Sequence, residues 1–264
     1  MNTHNQYCIS RETDYTQDKE IRKILNDGIN SETILSTCQL IKQKENSPVI
    51  KLPSDIDLWY LSGNKQITDI IAATELICCR DYKILLDCID KLRGTPIMLK
   101  VNGAFSTLLS LTGSEFLFRQ MIKSETEITA AINRINTNTV TFIKEAVLHG
   151  VNIISYADPS AVSEVIGEKL HYKYSIKATY DFMCLARPYL SGSIMHLCPR
   201  TSFALEKYML CFFDKHHNSH NNLINELLVL SQCEDIHFTG HVCVNADKHL
   251  TDELYILNEL QPQG

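Results

Sequence analysis

Residues 96–113 read Pro-Ile-Met-Leu-Lys-Val-Asn-Gly-Ala-Phe-Ser-Thr-Leu-Leu-Ser-Leu-Thr-Gly, and this stretch contains the pattern that decides the fold. Pro96 to Val101 is a short apolar run, which is typical of a buried strand. The loop Asn102-Gly103-Ala104 follows it, and Phe105 to Leu111 then has its apolar residues at helical spacing. The stretch therefore predicts a strand, a loop and a helix in that order.

The same order recurs twice further along the chain. Val151 to Tyr156 and Gly192 to Leu197 are also short apolar runs, and each is followed by a segment with helical spacing. Repeated strand–helix units predict an α/β fold with a parallel sheet. Ligands of such sheets bind at the loops after the carboxyl ends of the strands, which here are residues 102–104, 157–160 and 196–199.

The last third of the chain continues the pattern with shorter elements. Cys211 to Asp214 predicts a short strand, and Asn222 to Ser231 predicts a helix. The polar patch at residues 216–222 predicts a solvated loop. Asp235 to Val244 predicts a fourth strand that runs into a loop, and Thr251 to Leu260 predicts a closing helix.

Composition excludes several classes of protein. The 264 residues are 44% hydrophobic and 21% charged, which is typical of a globular chain. The net charge of −6 argues against nucleic-acid binding, which requires a basic face. No apolar run is long enough to cross a membrane, and the polar N-terminus does not resemble a signal peptide. The 10 cysteines form no disulfide framework, so we expect a cytoplasmic protein with reduced thiols.

The pair His196-x-Cys198 lies at a predicted strand end, and Cys243 lies at a later one. Residues i and i+2 of a strand point to the same side, so an imidazole and a thiolate can bind one ion there. Zinc accepts three such ligands and leaves one position for a substrate. The motif is short, however, and both residue types are often only buried. His241 is a rival ligand, because it lies an even number of residues from Cys243.

Three further residues are candidates, each with a structural alternative. Asp158 either orients a ligand or acceptor, or makes an Asp-Pro turn. Glu206 is either a resting fourth zinc ligand or a solvated helix residue. Asn102 either binds substrate through its amide or forms a turn with Gly103.

Four segments together resemble the uroporphyrinogen decarboxylase superfamily. Lys100 to Gly113 is similar to its strand–glycine–helix signature, and Gly150 to Ala161 is similar to its next strand and loop. Ile194 to Pro199 resembles the His-x-Cys-Gly segment of one branch, the methylcobalamin:coenzyme M methyltransferases and related corrinoid-dependent enzymes. Gly240 to Cys243 is similar to the late Gly-Cys strand end of that branch.

The resemblance implies a TIM-type barrel, which we assign to residues 48–264. Apolar positions at helical spacing within residues 1–47 predict an N-terminal helical cap. The resemblance also implies a zinc site of His196, Cys198 and Cys243. In such a site two thiolates and an imidazole keep a bound thiolate nucleophilic, which favours alkyl transfer to sulfur over hydrolysis. By the same resemblance, a methylcorrinoid on a partner corrinoid protein donates a methyl group to a small thiol acceptor.

Two departures from the family pattern lead to alternatives. Pro199 replaces the usual glycine, and only 44 residues separate Cys198 from Cys243. The barrel is therefore expected to be incomplete or compacted, and a homodimer would cover its strand edges. One alternative is a shortened, non-catalytic member that binds a corrinoid or tetrapyrrole. The other is a uroporphyrinogen decarboxylase-type lyase, although residues 1–60 contain no counterpart of the arginine-rich motif of the decarboxylases.

Overall fold

The computed structural model describes residues 50–52, 66–73, 86–87, 89–90, 94–217, 222–244 and 253–260. The predicted cap of residues 1–47 lies outside these residues, and the prediction stays untested. The strands are β1 (Ile50–Leu52), β2 (Ile97–Asn102), β3 (Ile153–Ala157), β4 (Ile194–Leu197), β5 (Cys211–His217), β6 (Phe238–Gly240) and β7 (Glu253–Leu260).

Helices occupy most of the connections between these strands. A π-helical turn, Tyr172–Ile176, and a 3-10 turn, Arg187–Tyr189, also lie between the third and fourth of these strands. The α-helices are α1 (Ile67–Ala72), α2 (Ala104–Thr112), α3 (Ser114–Lys123), α4 (Glu125–Leu148), α5 (Ser163–Ile166), α6 (Glu168–His171), α7 (Lys177–Ala186), α8 (Pro199–Lys207) and α9 (Leu223–Leu230). None of the described helices combines the length and the apolar character that crossing a bilayer requires.

The seven described strands form one sheet in the order β1-β2-β3-β4-β6-β7-β5. The first five strands in this order pair in parallel, whereas β7 pairs antiparallel with both β6 and β5. The predicted α/β class with a mostly parallel sheet is therefore confirmed. A closed barrel is not confirmed, because β1 and β5 stand at the two ends of the described sheet.

The closing helix predicted for Thr251 to Leu260 is wrong, because Glu253–Leu260 is the strand β7. Its apolar run fits either period, and the pairing of β7 with β5 and β6 decides in favour of a strand. The solvated loop predicted at 216–222 is also wrong at its start. β5 continues through His217, and the Nε2 atom of His216 lies 2.7 Å from Glu226.

Both faces of the parallel strands are covered. On one face, side chains of β2, β3 and β4 pack in the core against α4 and α7, and Tyr156 stacks on Phe182 with ring centroids 5.0 Å apart. On the other face, Met98, Ile153 and Ile194 pack with residues of α9. Burial on both faces explains why these strands are near-continuous apolar runs in the sequence.

Candidate functional site

The carboxyl ends of β3 and β4 open into a cleft of about 390 Å³. Its wall is formed by the loop after β3, the π-helical turn and the first turns of α8. Asp158 and Cys198, which follow β3 and β4, both line it. The structure therefore places these two predicted residues at one cleft, where ligands of parallel α/β sheets bind.

Asp158 is buried and accepts hydrogen bonds on both carboxyl oxygens. Ser106 donates to Oδ1 from its backbone nitrogen at 2.8 Å and from its hydroxyl at 2.5 Å, and Ser175 donates to Oδ2 at 2.9 Å. The Ser106 hydroxyl also accepts from the backbone nitrogen of Ser160 at 3.0 Å. This network holds the carboxyl in one orientation at the cleft.

Burial raises the pKa of Asp158, and the hydrogen bonds from Ser106 and Ser175 oppose that rise. A raised pKa means that the carboxylate takes up a proton more readily than an exposed aspartate does. Asp158 is therefore suited to hold or move a proton at the cleft.

The backbone at the end of β2 packs closely against Asp158. Gly103 donates a hydrogen bond to the Ala157 carbonyl at 2.7 Å. A Cβ atom at Gly103 would lie 2.4 Å from both Cβ and Cγ of Asp158, so only glycine allows this close approach. Asn102 is buried at the end of β2 and is not among the residues that line the cleft. Its predicted binding of substrate stays a prediction.

Cys198 is partly exposed in the cleft and caps the N-terminus of α8. Its backbone nitrogen donates to the Tyr156 carbonyl at 2.8 Å, which ties the end of β4 to β3. Pro199 is the first residue of α8, where a missing N–H leaves no helical hydrogen bond unmade. The departure from the family glycine is therefore compatible with the local structure.

Charged side chains of both signs line the rest of the cleft. Arg200 and Lys207 come from α8, Glu164 comes from α5, and His171 comes from α6. Lys207 makes an ion pair with Glu168 at 2.8 Å, and both side chains are mostly exposed. This rim suits a small polar ligand.

His196 is fully buried and uses both ring nitrogens within the protein. Nε2 lies 2.7 Å from the carbonyl oxygen of Val242, and Nδ1 lies 2.8 Å from the hydroxyl of Thr239. Burial lowers the pKa of His196 to about 4, although the hydrogen bond to Val242 opposes that shift. The imidazole is therefore neutral at pH 7, and its polar atoms face protein groups.

The predicted zinc ligands do not fit a zinc ion as they are arranged. The described residues, which include His196, Cys198 and Cys243, contain no group of three or more His, Cys, Asp or Glu side chains placed to hold a metal. His196 has no nitrogen free to bind one, and Cys243 lies in the segment after β6. The zinc site stays a prediction from the sequence, and no step below uses a metal.

Glu206 and His241 bind each other. Oε2 of Glu206 lies 2.9 Å from Nε2 of His241, and Oε1 accepts a hydrogen bond from the backbone nitrogen of Phe213 at 2.9 Å. β6 ends at Gly240, and His241 has a left-handed backbone with φ 66°, so His241 and Cys243 lie after the strand and not along it. In this arrangement Glu206 connects α8 to the neighbouring strands.

Sequence reasoning missed the two serines that bind Asp158, and it also missed Lys100. Ser106 lies one turn after Gly103, a position that a strand-end loop would indicate as close to the cleft. Ser175 lies in the π-helical turn, which no sequence pattern marks. Lys100 is 1% exposed on β2, and a lysine within an otherwise apolar strand is the signal that could have found it.

Comparison with known proteins places the chain in a family. Residues 67–227, more than half of the chain, match the family described as uroporphyrinogen decarboxylase (URO-D). No curated protein matches the chain. A solved methyltransferase from Methanosarcina mazei is similar at 16% identity with a TM-score of 0.39, over 44% of this chain and 34% of that one. The match thus spans about a third of that protein's length, and a likeness of this extent carries no argument about activity. The family match covers residues 67–227, and the chain belongs to the uroporphyrinogen decarboxylase (URO-D) family.

Proposed function

We propose that this URO-D family member is a methyltransferase that binds a small thiol in the cleft and methylates it. The methyl donor is a methylcorrinoid held on a separate corrinoid protein, as the resemblance of residues 194–199 and 240–243 implies. The observation that carries the proposal is the cleft at the ends of β3 and β4, which joins the buried Asp158 to the Cys198 thiol.

The size of the cleft favours this reading over a tetrapyrrole decarboxylase. A volume of about 390 Å³ lies at the small end of ligand sites. It suits a small thiol, whereas a tetrapyrrole macrocycle with its carboxylate side chains requires more room. A corrinoid that stays on its own protein needs only the mouth of the cleft.

Asp158 provides the proton chemistry of the proposed transfer. A thiol attacks a methyl group as its thiolate, so its proton must leave. The buried carboxylate, whose pKa is raised by burial, accepts that proton and later releases it to water. The sulfur–methyl bond forms as the donor–methyl bond breaks, and the electron pair of the broken bond stays with the donor. When bound, the corrinoid supplies the methyl group.

The proposal is tested with the full chain, methylcobalamin and a small thiol such as 2-mercaptoethanol. We expect a thiol-dependent loss of methylcobalamin absorbance, with the methyl thioether detected by mass spectrometry. Asp158→Asn should lower the rate by about 100-fold, because it removes the proton acceptor. Asp181→Asn, which changes a half-exposed carboxylate of α7 that is not among the residues lining the cleft, is the matched control and should keep the rate. No thiol-dependent demethylation by the wild-type chain would refute the proposal.

One observation favours a second candidate, a non-catalytic family member that binds a corrinoid or its carrier protein. The described sheet is open, and β7 runs antiparallel to both of its neighbours, β6 and β5, where a barrel would continue in parallel. This candidate predicts that the chain binds methylcobalamin, measured by equilibrium dialysis, and leaves its methyl group in place. Loss of the methyl group indicates the methyltransferase, and binding without that loss indicates the non-catalytic member. One preparation of protein therefore distinguishes the two functions.

A further inference from the structure

His196 belongs to a buried polar row that crosses the sheet. Lys100 on β2 is in register with Ser155 on β3, Ser155 with His196 on β4, and His196 with Thr239 on β6. Neighbours in register point to the same face of a parallel sheet. All four side chains are at most 4% exposed. The row therefore lies inside the protein, and its member on β4, His196, comes two residues before Cys198.

The hydrogen bonds of His196 determine which of its nitrogens carries the proton. A carbonyl oxygen has lone pairs and no hydrogen, so the 2.7 Å contact with Val242 requires a hydrogen on Nε2. In the neutral ring, Nδ1 then has the lone pair, and it accepts the Thr239 hydroxyl hydrogen at 2.8 Å. The opposite tautomer would bring the Nε2 lone pair against the lone pairs of the carbonyl.

We infer that His196 has a structural role, linking neighbouring segments through its hydrogen bonds, and is not a metal ligand in this member of the family. A metal requires a nitrogen lone pair, yet Nε2 carries a hydrogen and the lone pair of Nδ1 is bound to Thr239. The imidazole instead joins β4 to β6 through Thr239 and to the segment 241–244 through Val242. The inference is independent of the proposed methyl transfer.

The segment 241–244 is also held from its other side, by α8. The backbone nitrogen of His241 donates to the Ser202 hydroxyl at 2.8 Å, and its ring lies 2.9 Å from Glu206. A Cβ atom at Gly240 would lie 2.6 Å from Cβ of Ser202, so the segment approaches α8 as closely as glycine permits. Releasing Val242 to free Nε2 would therefore disturb contacts on both sides.

The direct test is the tautomer of His196, read from two-bond nitrogen–proton correlations of the ¹⁵N-labelled full chain, with a His196→Gln spectrum for assignment. We expect the Nε2–H tautomer at pH 7, unchanged when one equivalent of Zn²⁺ is added. An Nδ1–H tautomer, or transfer of the proton from Nε2 to Nδ1 on adding Zn²⁺, would overturn the inference. Neither result depends on turnover, so the inference and the proposed function fail separately.

A pair of variants tests the hydrogen bond between His196 and Thr239 by its effect on stability. Thr239→Val removes the donor to Nδ1 in a fully buried site, and we expect the melting temperature to fall by roughly 3–6 °C. Thr239→Ser keeps the hydroxyl and should retain most of that stability. The loss should be the same with Zn²⁺ and with a chelator. A wild-type melting temperature that drops on chelation, with no such drop in His196→Gln, would contradict the inference.

Discussion

The ends of β3 and β4 are neighbours at one edge of the sheet, yet their buried polar residues have different roles. After β3, the carboxyl of Asp158 accepts three hydrogen bonds from two serines and still faces the cleft. On β4, the ring of His196 uses both nitrogens within the protein. A carboxylate has about four lone-pair sites, and the two serines use three of them on Asp158. A neutral imidazole has one donor and one acceptor, and both are occupied here.

This difference shows how a buried polar residue becomes available for chemistry. Burial disfavours the charged form of both groups, so it raises the pKa of Asp158 and lowers that of His196. What separates them is what their polar atoms face. Asp158 lines the cleft, where it can meet a ligand, whereas both ring nitrogens of His196 bind groups inside the protein. The three predictions below change one of the two regions at a time.

The largest effect is expected from Gly103→Ala, which acts on the β3 side. The new methyl group would meet Cβ and Cγ of Asp158 at 2.4 Å, so the loop or the carboxyl must move. We expect the free energy of unfolding to fall by roughly 3 kcal/mol, at the upper end of overpacking penalties, measured by urea denaturation. Adding Asp158→Gly should relieve part of this loss. Strictly additive losses would show that the two residues do not touch.

The next effect is the response of the β4 side to acid. The folded pKa of His196 is about 4, below its ordinary value of 6.5. The unfolded chain therefore binds the proton first, so the stability that His196 contributes is present above pH 6.5 and is lost as the pH falls toward 4. The shift corresponds to about 3 kcal/mol. Urea denaturation at pH 7 and at pH 4.5 measures most of it.

His196→Gln is the control for this acid response, because it removes the titrating ring and retains polar atoms. The variant should lose less stability than the wild type over the same pH interval. Asp158 contributes in the opposite direction, since its folded pKa is raised and its contribution is lost as the pH rises through that value. An equal acid response in wild type and His196→Gln would assign the titration to other histidines.

The fold was predictable wherever short-range pattern and packing agree. The apolar runs of β2, β3 and β4 are buried on both faces, so their sequences show continuous apolar stretches. Gly113 separates α2 from α3 with φ 80°, a conformation that favours glycine. Local chemistry determines these features, and local sequence reveals them.

The features that were missed depend on partners far away in the chain. β7 is a strand because it pairs with β5 and β6, which its own residues do not indicate. The strand-end rule predicted that Asp158 and Cys198 approach one cleft, and the structure places both there. The rule did not predict that Val242 and Thr239 form hydrogen bonds with the two ring nitrogens of His196. A metal-ligand motif in a sequence gives the residue type, whereas free lone pairs depend on the whole fold.

The smallest effect is expected from Ser175→Ala, which removes one of the hydrogen bonds to Asp158 and leaves both Ser106 bonds in place. We expect the free energy of unfolding to fall by about 1 kcal/mol, and the pKa of Asp158 to rise further because a stabilising donor is lost. Ser163→Ala is the matched control, because its hydroxyl bonds the adjacent Glu164 and leaves Asp158 untouched. Carboxyl-carbon NMR titration of Asp158 measures the pKa in both variants. If Ser175→Ala leaves the pKa of Asp158 unchanged, Ser106 is the serine that stabilises the carboxylate. The side of Asp158 that faces the cleft would then be more accessible than its hydrogen bonds indicate.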